Sequence, residues 1–295
     1  MTDSPSLLIV GHGTRAAEGA AEFHALADRV VALAPELRVA AGFIELSAPA
    51  VSEAVAELVA DGFTDVVAVP LMLLAAGHAK NDIPATLVRE RLVHPGVRFR
   101  YGRELGARPE LLELVDRRIA AVVEPCELDR TAVLLVGRGS SDPDANSELF
   151  KVARLHFEGR AHPLVEAAFV SLAPPSVAEG LERCRRLGAE RVVVVPYFLF
   201  TGVLERRIHD QAARYARRTG LEVRVSAYFG PDPAIAALVL ERYREAIAGD
   251  ARMNCDMCIH RVALPGFEDR VGAVATPHYH PDENGRHHHH PAHAH

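Results

Sequence analysis

The chain repeats itself. Shifting the first half by 126 positions places Val10-Gly11 on Val136-Gly137, Gly13 on Gly139, Phe43 on Phe169, Leu46 on Leu172 and Pro49 on Pro175. The same shift carries Val51 to Val177, Glu53 to Glu179, Gly62 to Gly188 and Val69-Pro70 to Val195-Pro196, with no gap. A register held across glycines and prolines, which fix turns, marks two homologous units. The expected division is an N-terminal unit over 1–125, its homologue over 126–250 and a polar tail over 251–295. A length of 295 residues accommodates two ordinary domains.

Within the first unit, short β-branched runs alternate with longer amphipathic ones. Strands are predicted at Leu7–Val10, Val39–Leu46, Asp65–Leu74 and Val97–Tyr101. Between them, Ala16–Ala34 sets Phe23, Ala27, Val30 and Val31 on one helix face, and further helices are predicted over Pro49–Asp61, Ala79–Leu92 and Pro109–Val123. Runs as apolar as Val192–Pro196 suit a parallel sheet covered on both faces. The expected fold class is therefore α/β, with two tandem doubly wound parallel-sheet domains and a poorly ordered C-terminal tail.

Composition narrows the function. A net charge of −6 argues against a nucleic-acid binder, which normally shows a basic face. No apolar run approaches the roughly 20 residues of a membrane span, and no basic segment precedes an apolar one at the N-terminus. A soluble, cytoplasmic protein is expected. No GxxxxGK[ST] loop points to ATP, and no GxGxxG spacing with a downstream acid points to a dinucleotide. Ser140 and Ser141 lie outside a GxSxG elbow, and HExxH is missing.

The copies differ where ligands bind in open parallel sheets, beyond the carboxyl ends of the strands. His12 follows the first strand, Glu45 lies near the end of the second and His78 follows the third; their counterparts are Arg138, Ser171 and Leu204. A duplicated enzyme with one working site and one retired site would show this pattern. Two imidazoles and a carboxylate suit Co²⁺, Fe²⁺, Ni²⁺ or Zn²⁺, and also proton transfer near neutral pH. A zinc hydrolase is the enzymatic rival.

These residues together resemble the sirohydrochlorin chelatases, in particular their long single-subunit cobalt form. The resemblance rests on "GHGT" at 11–14, "FIELSAP" at 43–49, "PLMLLAAGHAKNDIP" at 70–84, "VGRGSSDP" at 136–143 and "PYFLFTGVL" at 196–204, within roughly residues 6 to 260. It implies ATP-independent insertion of a divalent metal into a tetrapyrrole, with cobalt favoured, iron the near alternative and nickel a further candidate. It also implies that His12 and His78 are the active-site histidines and Glu45 the accompanying acid. Such a substrate carries eight carboxylates, so cations and turn amides are expected around it. The candidates are Arg15, Arg138, Arg206, Arg207, Ser140 and the backbone at Gly11, Gly13, Gly77 and Gly139. A metallochaperone or tetrapyrrole carrier is the non-enzymatic alternative, and a monomer or homodimer is expected.

The tail holds Met253-Asn254-Cys255-Asp256-Met257-Cys258, which is similar to the MxCxxC motif that the long form associates with an iron–sulfur cluster. Two thiolates are half of the usual four, so Cys126, Cys184, another chain or non-cysteine ligands would complete it; a zinc site or redox pair is the alternative. Eight of the sixteen histidines fall between His278 and His295, among them His287, His288, His289, His290, His293 and His295. Such a tract is a compositional signal for metal buffering.

Overall fold

A computed structural model describes residues 4–251. The first half is β1 (Ser6–Gly11), α1 (Ala17–Leu33), β2 (Val39–Phe43), α2 (Val51–Ala60), β3 (Asp65–Pro70), a π-helical turn (His78–Asp82), α3 (Ile83–Val93), β4 (Arg98–Tyr101) and α4 (Pro109–Ala120). After a 3₁₀ turn (Pro125–Arg130) the second half repeats it: β5 (Thr131–Gly137), α5 (Pro143–Glu158), β6 (Val165–Phe169), α6 (Val177–Arg186), β7 (Arg191–Pro196), α7 (Val203–Thr219), β8 (Glu222–Val225) and α8 (Pro233–Ala248). The strands form two parallel four-stranded sheets, ordered β2-β1-β3-β4 and β6-β5-β7-β8. Cys255, Cys258 and the histidine tract lie outside the described residues.

Sheet alternation sorts the apolar residues into three clusters. Leu8, Val10, Val66 and Ala68 face a first outer core with α2 and α3. Leu134, Val136, Val192 and Val194 do the same in the second half, beside Cys184 of α6. The opposite faces, with Leu7, Ile9, Val67 and Val69 from one sheet and Val133, Leu135, Val193 and Val195 from the other, belong to one continuous core that joins the halves. The last helix of each half sits across this join. α8 packs against α1, β3 and β4 of the first half, and α4 packs against β7 of the second.

A pair of carboxylates fastens the halves under the same 126-residue symmetry. Glu22 of α1 accepts the backbone N–H of Thr201 at 2.8 Å, and its equivalent Glu148 of α5 accepts the N–H of Ala75, the equivalent of Thr201. The two shorter strands correct the expectation from sequence. β2 stops at Phe43 and β3 at Pro70, so Ile44–Leu46 and Leu71–Leu74 are loop. Leu46 has a left-handed φ of 63°, which no strand can contain, and an internal Pro cannot donate to the ladder beyond it.

Candidate active site

The strand order explains where the polar residues gather. The chain leaves β1 to build β2 on one side and returns to build β3 on the other. The loops after β1 and β3 therefore diverge and open a crevice between them. His12 stands in the first loop and His78 in the second. Their rings meet edge to face, with centroids 4.1 Å apart and planes at 89°. Glu45, in the loop after β2, brings Oε1 to 3.2 Å from His12 Nε2. The three residues predicted from sequence thus converge. Their side chains are 22%, 37% and 13% exposed for His12, Glu45 and His78, so they sit at a mouth rather than inside the core.

Backbone chemistry fixes this arrangement. The ring nitrogen Nδ1 of His12 lies 3.0 Å from the carbonyl of Gly13, where it can only donate. That places a proton on Nδ1; in the neutral imidazole Nε2 is then an acceptor turned toward the carboxylate, and in the imidazolium it donates to it. Two acceptors at 3.2 Å repel unless a proton or a cation stands between them. Gly13 adopts φ of 102°, and a Cβ there would fall 1.7 Å from the carbonyl oxygen of Glu45. Only glycine lets the two loops touch. Ser47 completes the seam, accepting the N–H of Thr14 at 3.0 Å and donating to its carbonyl at 2.7 Å.

His78 is held by its own helical turn. Ile83 donates its N–H to the carbonyl of His78 five residues back, the wide spacing of a π turn, a distortion found often at functional sites. One consequence is that His78 and Asp82 face each other, with Nδ1 2.6 Å from Oδ2. Tyr101 of β4 donates to the carbonyl of Ala79 at 2.6 Å, tying the turn to the sheet. Lys80, with a wholly buried side chain, reaches across to the second half. Its ammonium lies 2.8 Å from Asp142 and 2.8 Å from Asp144, at the start of α5. Reading the sequence missed Asp82, Lys80, Asp142 and Asp144. The i, i+4 spacing of "HAKND" could have found Asp82, whereas nothing local joins Lys80 to residues more than sixty positions away.

Two more carboxylates lie beneath the loop that carries His78. Glu104 is buried, and Glu148 faces it from the second half. Both present Oε1 3.7 Å from where a Cβ on Gly106 would stand. Burial pushes both carboxyls above their ordinary range, and Glu148 is raised further by the charge of Glu104.

The remaining predicted residues divide. Arg138 and Gly139 follow β5 at the positions equivalent to His12 and Gly13, and Gly139 repeats the left-handed φ at 88°. The amide of Ser140 donates to Asn146 at 2.9 Å, so it serves the start of α5. Gly11 closes β1 against the Phe23 and Phe43 rings, where it is a packing residue. Gly77 is right-handed, with open space around its α-carbon. Arg15 is exposed at the entry to α1. Arg206 and Arg207 line a groove of about 480 Å³ along α7, with Val203, Asp210, Gln211 and Arg214. The start of α7 lies close to the His12 loop: a Cβ on Gly19 would stand 2.7 Å from the Thr201 carbonyl and 3.2 Å from the Thr14 methyl.

A two-sheet α/β protein with an imidazole pair and an acid at the switch point of one sheet belongs, as a class, with proteins that gather proton-transferring or metal-donating groups beyond the strand ends. Comparison with known proteins makes the class specific. Residues 6–122 and 132–246 each match the CbiX family, and the chain belongs to it. It is 40% identical over 263 residues to the sirohydrochlorin cobaltochelatase of Priestia megaterium, covering 88% of this chain and 85% of that one. With the sirohydrochlorin ferrochelatase of Bacillus subtilis the identity is 32% over 243 residues, 82% and 92% of the two chains. The structure of SirB from Bacillus subtilis with Fe³⁺ superposes with a TM-score of 0.75 at 30% identity, covering 85% of this chain and all (100%) of that one.

Proposed function

We propose that this chain inserts a divalent metal, cobalt in preference, into sirohydrochlorin without ATP, as a step of cobalamin synthesis. The observation that carries the reading is the contact between Nε2 of His12 and Oε1 of Glu45, two lone-pair donors 3.2 Å apart beside the ring of His78. Two bonds of about 2.1 Å from one first-row metal ion span roughly this distance. The same pair, with one proton between, is a place to put a proton taken from the macrocycle.

The chemistry follows from these atoms. The incoming metal must exchange water for protein donors and then for four pyrrole nitrogens, two of which lose protons. His12 and His78 are imidazoles fixed through Nδ1, one by the Gly13 carbonyl and one by Asp82, so metal and proton chemistry falls to Nε2. Glu45 takes the proton released toward His12 and, more than a third exposed, passes it to water. Donors at the mouth of a cleft hold the metal in an incomplete set, from which it can leave for the macrocycle. Arg15, Arg138, Arg206 and Arg207 are the cations assigned to the carboxylate rim of the substrate.

The test is anaerobic. The protein is mixed with sirohydrochlorin and with Co²⁺, Fe²⁺ or Ni²⁺ singly, and the macrocycle absorbance is followed. Metallation above the uncatalysed rate is expected, fastest with Co²⁺, and H12A/H78A is expected to fall to background. An unchanged rate in that variant would refute the reading. Iron is the second reading, favoured by the similarity to a ferrochelatase and to a chelatase structure holding Fe³⁺. A higher kcat/KM with Fe²⁺ than with Co²⁺ would select it.

A four-thiolate iron–sulfur cluster does not fit this chain's own cysteines. Cys184 is fully buried among Leu134, Val194 and Ile208, and burial pushes its thiol up to about 12. At most three thiolates remain within one chain. We assign the histidine tract a metal-buffering role, and deletion of 278–295 is expected to lower the bound Co²⁺ per chain. The reading includes a cytoplasmic protein acting as a monomer or homodimer, which sedimentation would distinguish. Among the described residues no helix is long and apolar enough to cross a membrane.

A further inference from the structure

Each half carries one bulky residue in a backbone conformation suited to glycine. Leu46 has φ of 63° and Leu172, its equivalent, φ of 58°. Both are the middle residue of a three-residue turn. Ser47 N–H donates to the Glu45 carbonyl at 2.7 Å, and Ala173 N–H donates to the Ser171 carbonyl at 2.6 Å. A γ-turn with positive φ is rare and strained, and a branched side chain makes it more so. Burial does not compensate for the strain. Leu46 is 41% and Leu172 46% exposed, and neither belongs to any of the three cores.

What surrounds these turns points to their use. The first residue of one turn is Glu45, which touches His12. In the other half the acid has become Ser171 and the histidine Arg138, yet the turn, the leucine and the left-handed glycine that accommodates it (Gly13 or Gly139) all persist. The acid differs between the halves and the leucine does not, which points to a role for the leucine common to both.

We infer that Leu46 and Leu172 are paired substrate-contact residues that press on the apolar faces of the macrocycle. The inference rests on the function proposed above and adds to it. A tetrapyrrole is an amphipathic disc, with a charged rim and apolar faces. The arginines assigned above address the rim, and two exposed leucines projected by strained turns address the faces. One of them stands a single residue from the group that handles the metal.

The experiment uses the full chain and metal-free sirohydrochlorin, titrated anaerobically by macrocycle absorbance. Asn and Gly both tolerate φ near 60°, so L46N, L172N, L46G and L172G are expected to keep a thermal midpoint no lower than the wild type. Water removed from a half-exposed leucine is expected to contribute about tenfold in affinity. Each single variant should therefore raise Kd by about that factor, and L46N/L172N by more. A double variant that folds and binds within twofold of the wild type would overturn the inference and leave the proposed function standing. A wild-type protein that does not bind sirohydrochlorin would overturn both.

Discussion

At the scale of single residues, the site depends on two supporting residues, Gly13 and Asp82, whose roles only the geometry shows. Gly13 is required because a Cβ would overlap the Glu45 carbonyl, and that carbonyl opens the turn that carries the acid to His12. Gly13→Ala is expected to cost about 2 kcal/mol or more in stability, measured by urea unfolding, and to abolish metal insertion. Asp82 acts through His78. Asp82→Ala leaves the core intact and is expected to reduce kcat by about ten- to a hundredfold while KM for the tetrapyrrole stays within twofold. An unchanged kcat would mean that the π turn alone orients the imidazole. His12, Glu45 and His78 were legible in the sequence because the second copy served as an internal control, with the same framework and different polar residues. Asp82 was missed although its i, i+4 spacing from His78 carried the signal, because the predicted helix began one residue after His78.

At the scale of elements, the site turn borrows its rigidity from the other half. Lys80, Asp142 and Asp144 form an ion triad in which the lysine side chain is wholly buried and Asp142 is 6% exposed. Removing one partner of a buried pair strands the other charge. Lys80→Met is therefore expected to lower unfolding free energy by about 3 kcal/mol. Adding D142N should recover part of it, because the stranded carboxylate is then neutral. A double variant no more stable than K80M would show that the lysine is needed for packing and not for charge. The helices and strands themselves were readable from periodicity, to within a few residues at most ends. The exceptions have a common cause. An apolar continuation past a strand, as in Ile44–Leu46 and Leu71–Leu74, looks like more strand. Most of these loop residues are apolar because they pack on the cores instead: Leu71, Leu73 and Leu74 on the one that joins the halves, Ile44 and Met72 on the outer one.

At the scale of the whole molecule, the second half is also where acid should act first. His156 of α5 is fully buried, stacked on His162 at 5.6 Å and 3.0 Å from Asp116 of α4, which Arg160 also engages. Burial is the main cause that holds its imidazole down at about 4, against an ordinary value near about 6.5. The folded protein thus binds this proton less readily than the unfolded chain. The contribution is fully present above about pH 6.5 and is lost as pH falls from there toward about 4, with a limit of about 3 kcal/mol. Urea midpoints measured between about pH 7 and 4 should fall in the wild type and fall less in His156→Phe; equal slopes would refute the assignment. By itself the sequence determined two homologous parallel-sheet units and which of them kept the imidazoles and the acid, because the repeat period, strand composition and polar differences are local properties that survive in one dimension. Tertiary structure alone decided that α4 and α8 cross to the opposite halves, that Lys80 is clamped by the copy lacking the counterparts of His12 and His78, and that Leu46 and Leu172 stand exposed on strained turns. Each of these depends on how two similar surfaces dock, and docking is set by the summed burial of many side chains distant in sequence, which no short stretch of the chain encodes.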